Sequence, residues 1–193
     1  MRIEIIEASF GKIHLDNQSR VSDSLLEDTL SSLQSGQIIE QAEMDHALLL
    51  LSDIPGIVIN STLKPGDAVG TSNLLVAGHP SPALMANVVL DGYGNRYTGK
   101  VRAGATLNLS NPLHHGDLLS INGLSSGSGM NYGRISYESL LSGRGTRLGG
   151  AYSNLRYILG GSLVSLLGHG TAEAASLWAK HPLIRSRNIN IYE

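Results

Sequence analysis

No cysteine occurs among the 193 residues, which excludes disulfides, thiolate metal sites and cysteine nucleophiles. Equally absent is any stretch approaching the roughly 18 consecutive apolar residues that a membrane-spanning helix needs, so strands are the one means by which this chain can cross a bilayer. Met1 is followed by Arg-Ile-Glu-Ile-Ile-Glu7, an alternating strand rather than a basic segment before an apolar core; a secreted parent would carry its leader upstream. No excess of one charge stands out either, the formal net charge being −2. With the basic residues alternating among apolar ones, nucleic-acid binding is not expected.

What is present is a folding composition, 41% hydrophobic and 16% charged, unevenly distributed. Residues 1–80 hold eleven acids and four bases, whereas 81–193 hold five acids and ten bases, 17 of the 23 glycines and all seven tyrosines. Two regions are expected, meeting at Gly78 to Pro82. In the first, Lys12 to Leu15 reads as a short strand. Ser24-Leu-Leu-Glu27 matches a capping box opening a helix with Leu26, Leu30 and Leu33 on one face, ended by Gly36. A second helix from about Glu40 carries Met44, Ala47, Leu48 and Leu51 in a stripe until Pro55-Gly56. Ile57–Leu63 and Thr71–Ala77 then form two strands around the Lys64-Pro-Gly-Asp67 turn, a β-α-α-β-β order.

In the second region, Lys100 to Ser110 places Val101, Ala103, Ala105, Leu107 and Leu109 on one strand face, with Lys100, Arg102, Thr106, Asn108 and Ser110 on the other. Turn signals recur at Asp91–Asn95, Asn111–Gly116, Ser125–Gly129, Ser142–Gly145 and Gly160-Gly161, delimiting strands near 83–91, 96–110, 117–125, 130–140, 146–158 and 170–181, with a seventh from Arg187. Serial alternating segments of about ten residues are the signature of a transmembrane β-barrel. Leu84, Ala86, Val88 and Leu90 would face lipid, with Asn87 and Asp91 inward; Ile135 and Tyr137 would oppose Arg134, Ser136 and Glu138. Tyr93, Tyr97, Tyr132 and Tyr157 fall near strand ends, where an aromatic girdle would sit, although tyrosine favours strands in any case. Bacterial barrels close with at least about eight strands, so six or seven imply a piece of a longer protein.

The segments Ala47-Leu-Leu-Leu-Leu-Ser-Asp-Ile-Pro-Gly56, Ser61-Thr-Leu-Lys-Pro-Gly66, Val69-Gly-Thr-Ser-Asn-Leu-Leu75, Asp91-Gly-Tyr-Gly-Asn-Arg-Tyr-Thr-Gly99 and Asn131-Tyr-Gly-Arg-Ile-Ser-Tyr137 resemble the hemolysin secretion/activation proteins of two-partner secretion. So do Leu155-Arg-Tyr157, Gly170-Thr-Ala172 and Pro182-Leu-Ile-Arg-Ser-Arg187. The resemblance implies an α+β POTRA module followed by an incomplete antiparallel transmembrane β-barrel of about six to seven strands. Met1 to Ala8 would be the last strand of a preceding POTRA, residues 9–79 the barrel-proximal POTRA, and 80–193 the N-terminal part of the barrel. It also implies a bacterial outer-membrane location with the POTRA in the periplasm, and a partner in the form of an unfolded secreted protein of hemolysin or adhesin type, with outer-membrane lipid around the barrel.

No catalytic, cofactor or metal residue is assigned, and no enzyme is expected. The partner-binding candidates are Ile57, Ile59, Ser61 and Leu63, on a strand read as a sheet edge open to β-augmentation; Ile57, Ile59 and Leu63 equally suit a core. The lumen-facing candidates are Lys100, Arg102, Asn108 and Arg134. The cations either attract acidic segments of a passing chain or pair with Asp91 and Glu138 to stiffen the wall. Gly123-Leu-Ser-Ser-Gly127 matches a hydrolase elbow but precedes no helix-forming sequence, and His114-His115 and His46 read as solvated. The alternatives are a POTRA-barrel insertase and a soluble β-rich binding module whose faces pack sheet on sheet.

Overall fold

A computed structural model describes residues 7–160 and 167–193; the expected strand from Met1 and the second glycine of the Gly160-Gly161 turn lie outside them. The first region forms β1 (Ser9–Asn17), α1 (Asp23–Leu30), α2 (Gln41–Ser52), β2 (Ile57–Pro65) and β3 (Thr71–Pro80). β3 is central, parallel to β1 and antiparallel to β2. The apolar stripes of both helices close on the sheet, so Phe10, Leu26, Leu30, Ala47, Leu51, Ile57, Leu74 and Val76 form one buried core. Each such large side chain contributes about 1.5–3 kcal/mol by leaving water. The helix starts differ from expectation. α1 begins at Asp23 behind Ser22 with no side-chain cap, because the Ser22 hydroxyl meets that of Ser24 at 2.7 Å and Ser24 lies inside the helix rather than capping it. Leu33 is buried beyond the helix end.

Six strands follow: β4 (Leu84–Asp91), β5 (Arg102–Ser110), β6 (Leu118–Ser125), β7 (Met130–Leu140), β8 (Arg147–Ile158) and β9 (His169–Lys180). They make one antiparallel sheet in sequence order, open at β4 and β9. β5 begins six residues after the start of the expected 96–110 strand and two after the alternating run opens at Lys100. Gly99 adopts φ +105°, and Gly94 N–H donates to Lys100 O at 2.9 Å, so Lys100 and Val101 belong to the loop before the strand. A short hairpin, β10 (Pro182–Arg185) with β11 (Asn190–Tyr192), replaces the expected start of a seventh long strand.

The up-and-down order puts the 111–117, 141–146 and 181 connections at one end of the sheet, beside the helices, and 92–101 and 126–129 at the other. Leu140, the last residue of β7, joins the core of the α+β module. The two sheets therefore share a core, with β3 ending at Pro80 and β4 starting at Leu84.

Candidate transport surfaces

β2 lies at the edge of the three-stranded sheet, with β3 as its one strand neighbour among the described residues. The opposite edge is partly covered: Phe10 N–H donates to Gln37 O (2.8 Å), Gly36 N–H to Phe10 O (2.7 Å) and Ile39 N–H to Ala8 O (2.9 Å). Along the helix-facing side of β2, Ile57 is buried in the core and Ile59 packs against it, while Ser61 and Leu63 are exposed. The covering helices stop short of the second half of the strand, leaving a free backbone edge beside one apolar side chain. Side chains at Ile57 and Ile59 are committed to packing; what they offer a partner is backbone alone.

The six-stranded sheet has two chemically distinct faces. Register places Leu84 beside Leu109, Leu107 beside Ile121, Ile121 beside Ile135 and Ile135 beside Tyr152 on one face, and Leu107, Ile121, Ile135 and Tyr152 are exposed there. The other face is half-buried and polar. Arg102 Nε donates to Asp91 Oδ1 at 2.9 Å, Thr106 Oγ1 to Asn122 Oδ1 at 2.9 Å, and Ser120 Oγ to Asn108 Oδ1 at 2.7 Å. These cross-strand bonds satisfy polar side chains in rows along the wall.

Of the lumen candidates, Arg102, Asn108 and Arg134 lie on this polar face, whereas Lys100 is in the loop outside it. Arg102 is tied to Asp91. Glu138 is taken by Arg147 (3.4 Å), Lys180 (3.6 Å) and Trp178 Nε1 (2.8 Å). Arg134, flanked by Asn122 and Ser153, thus has neither acid and makes no ion pair among the described residues. Tyr132 and Tyr157 share the polar face, and Tyr93 and Tyr97 sit in the 92–101 loop. The girdle expectation fails because closeness to a turn says nothing about which face a strand residue takes.

Sequence reasoning missed the junction, whose partners are far apart in the chain. Arg185 grips the Asp53 carboxylate with Nε (2.6 Å) and Nη2 (2.8 Å), and Asp53 holds its guanidinium still more firmly protonated, chiefly by hydrogen bonding. Arg187 Nη2 donates to Asp45 Oδ1 at 2.7 Å, and Arg147 Nη2 to Asp53 O at 2.5 Å. Gly143 N–H donates to Asp28 Oδ2 at 2.6 Å, and His114 Nδ1 contacts Arg20 O at 2.6 Å. Asp117, fully buried, accepts from Tyr137 Oη (3.0 Å) and from the N–H groups of Leu113 and His115. A cavity of about 640 Å³ lies between α2 and the polar face, walled by Leu50, Leu140, Trp178 and Glu138.

Comparison with known proteins gives the following. A model of the haemolysin secretion/activation proteins ShlB/FhaC/HecB matches residues 70–188. The heme/hemopexin transporter protein HuxB of Haemophilus influenzae, strains 86-028NP and KW20/Rd, is 30% identical over 193 residues, 99% of this chain and 34% of that protein. The chain therefore spans about a third of the length of the curated relatives it matches. Among solved structures, CdiB from Acinetobacter baumannii superposes with a TM-score of 0.68 at 22% identity, over 93% of this chain and 35% of that one. CdiB from Escherichia coli gives 0.69 at 17%, over 91% and 34%. BamA from Haemophilus ducreyi lacking POTRA domains 1-3 gives 0.64 at 17%, over 91% and 33%. These last likenesses are of fold.

Proposed function

Because the chain belongs to the haemolysin secretion/activation family ShlB/FhaC/HecB, we propose that it is part of the outer-membrane transporter of a two-partner secretion pathway. Residues 9–79 act as the periplasmic POTRA nearest the barrel and 80–193 as the first barrel strands. The family is one of secretion proteins and not of enzymes, and transport along this path needs no bond chemistry. The observation that carries the reading is the six-stranded sheet with an apolar face and a hydrogen-bonded polar face, docked at one end on an α+β module with a free strand edge.

In this reading an extended segment of the secreted protein adds to β2, where main-chain bonding gives affinity and the exposed side at Ser61 and Leu63 receives alternate side chains. The segment then meets the polar wall, in which Arg134, without an ion pair among the described residues, attracts acidic side chains while Arg102 stiffens the wall through Asp91. The proposed cargo is a hemolysin- or adhesin-like polypeptide; the heme/hemopexin of the relatives' name concerns those relatives. The BamA likeness is one of fold alone, and the family match supports export over barrel assembly.

A photo-crosslinking residue at Ser61 of the full-length parent, co-expressed with the secreted protein encoded beside it, tests both steps. Export into the medium with a crosslink at Ser61 is expected. Export without a crosslink overturns capture at β2, and loss of the parent with no loss of export overturns the transporter reading.

A further inference from the structure

We propose that the small cavity where the two sheets join is a binding site for a phosphate-type oxyanion. The cavity measures about 170 Å³ and is lined by Arg20, Ser81, Ser110 and Asn111 against an apolar wall of Gly56, Pro80 and Ala83. Among the described residues no aspartate or glutamate lines it. Its lining residues carry side-chain donors that have no partner among the described residues. Asn111 is 4% exposed, and its Oδ1 accepts from Gly116 N–H at 2.9 Å, which fixes the amide so that Nδ2 is the remaining group. That Nδ2 is buried without a hydrogen-bond partner among the described residues.

The other donors are equally uncommitted. Ser81 and Ser110 enter the bonding network through their backbone N–H groups, to Gly56 O and Ala83 O, and their hydroxyls make no bond among the described residues. Arg20 offers its backbone carbonyl to His114, while its guanidinium makes no ion pair among those residues. A guanidinium, an amide N–H and two hydroxyls with no competing carboxylate form a set that a tetrahedral oxyanion satisfies and a cation does not.

The backbone holds this set open. Gly56 has φ +94° and approaches Asn111 so closely that a Cβ there would stand 2.8 Å from the Asn111 Cβ. Asn111 itself adopts φ +58°, a conformation asparagine tolerates. The lining comes from both parts of the chain, Arg20 and Gly56 from the α+β module, Ser110 and Asn111 from the end of β5. A bound oxyanion therefore ties one sheet to the other. Its lining residues Ala83 and Ser110 alternate with Leu84 and Leu109 of the exposed apolar face and so lie on the polar side of the sheet end; the headgroup phosphate of an anionic lipid is one source of such an oxyanion. A free phosphate offers the same chemistry.

The inference does not depend on the transport reading, and binding tests it directly. Inorganic phosphate is titrated calorimetrically into the 193-residue chain in neutral detergent free of other oxyanions, and flotation is measured with phosphatidylcholine vesicles with and without phosphatidylglycerol. Phosphate binding is expected, weakened at least tenfold by Arg20→Gln and lost in Asn111→Asp, which keeps the oxygen facing Gly116 and replaces the donor by a repelling carboxylate. Binding of free phosphate makes the ligand a soluble oxyanion. Preference for phosphatidylglycerol vesicles that Arg20→Gln removes, without free-phosphate binding, makes it a lipid headgroup. Binding of neither, or binding that Arg20→Gln leaves unchanged, overturns the proposal. Arg20 is exposed and its carbonyl contact survives substitution, so that variant folds even if Asn111→Asp does not.

Discussion

Leu140 ends a strand of one sheet and is 7% exposed in the core of the other module, so a single side chain links the stability of the two. Leu140→Ala is expected to cost about 2–5 kcal/mol and to move a denaturation midpoint followed by the fluorescence of Trp178, the one tryptophan. A variant that leaves the midpoint unchanged would show that the sheets do not share a core. Lys12 and Asp67 make the contrasting case. Their 2.8 Å pair lies in solvent; the hydrogen bond to Lys12, then its charge, lowers the Asp67 carboxyl below its ordinary 3.8. A lowered folded value means that the contribution is present above the ordinary carboxylate range and is lost as pH falls through the lowered one. Screening leaves little of it, so Asp67→Asn should not move the melting temperature at pH 7 and 0.15 M salt; a measurable drop would sink that view. At this scale the polar face was legible: Arg102 and Asp91 face one another as alternation implied. Asn111 and Asp117 were not, because a turn written Asn-Pro-Leu-His-His-Gly-Asp shows no sign that its ends are buried against helices.

The hairpin β10–β11 grips one helix. Arg185, 15% exposed and bidentate on Asp53, faces the same α2 as Arg187, 66% exposed on Asp45. Removing the first should cost about 1.5–3 kcal/mol, in line with bonds between charged groups, and removing the second under about 1 kcal/mol. Chemical denaturation of Arg185→Ala and Arg187→Ala reads the difference, and equal losses would mean that burial does not set the strength of the clamp. On β8, a Cβ at Gly149 would run into the indole of Trp178, which bonds Glu138. Gly149→Val should displace the ring and shift its emission to the red; unchanged emission would place the indole elsewhere. Most strands were readable because period-2 alternation persists between glycine turns. The exceptions have causes. Thr98–Val101 continues the alternation on paper, but the positive φ of Gly99 turns it into loop. A seventh long strand from Arg187 gives way to the β10–β11 hairpin, whose anchors Asp53 and Asp45 lie more than a hundred residues away in the chain and leave no local signal. The β-α-α-β-β order names five elements without saying which strand is central; β3 takes that place by pairing with both others.

For the molecule as a whole, the two faces of the long sheet predict opposite responses to the same charge. Ile121 is on the apolar face and Ser120, its neighbour, on the polar one. Ile121→Arg should impair insertion into lipid vesicles by about 2–4 kcal/mol, whereas Ser120→Arg should insert as the parent does; equal impairment would mean that the faces are misassigned. The net charge of −2 shows none of this, being the sum of two regions of opposite sign. The clamped end of the sheet has a further consequence, for how such a chain can change over generations. Connections 111–117 and 141–146 are wedged against α1 and the loop before it through His114 and Gly143, whereas 92–101 and 126–129 meet each other, Ser126 Oγ donating to Thr98 O. Growth is therefore permitted at one pole only. A tag of about ten residues placed between Gly127 and Ser128 should be silent, while one inside 111–117 should unseat the module. The fold has a constrained hilt and a less constrained tip, and novelty in what the molecule shows its surroundings is accommodated at the tip.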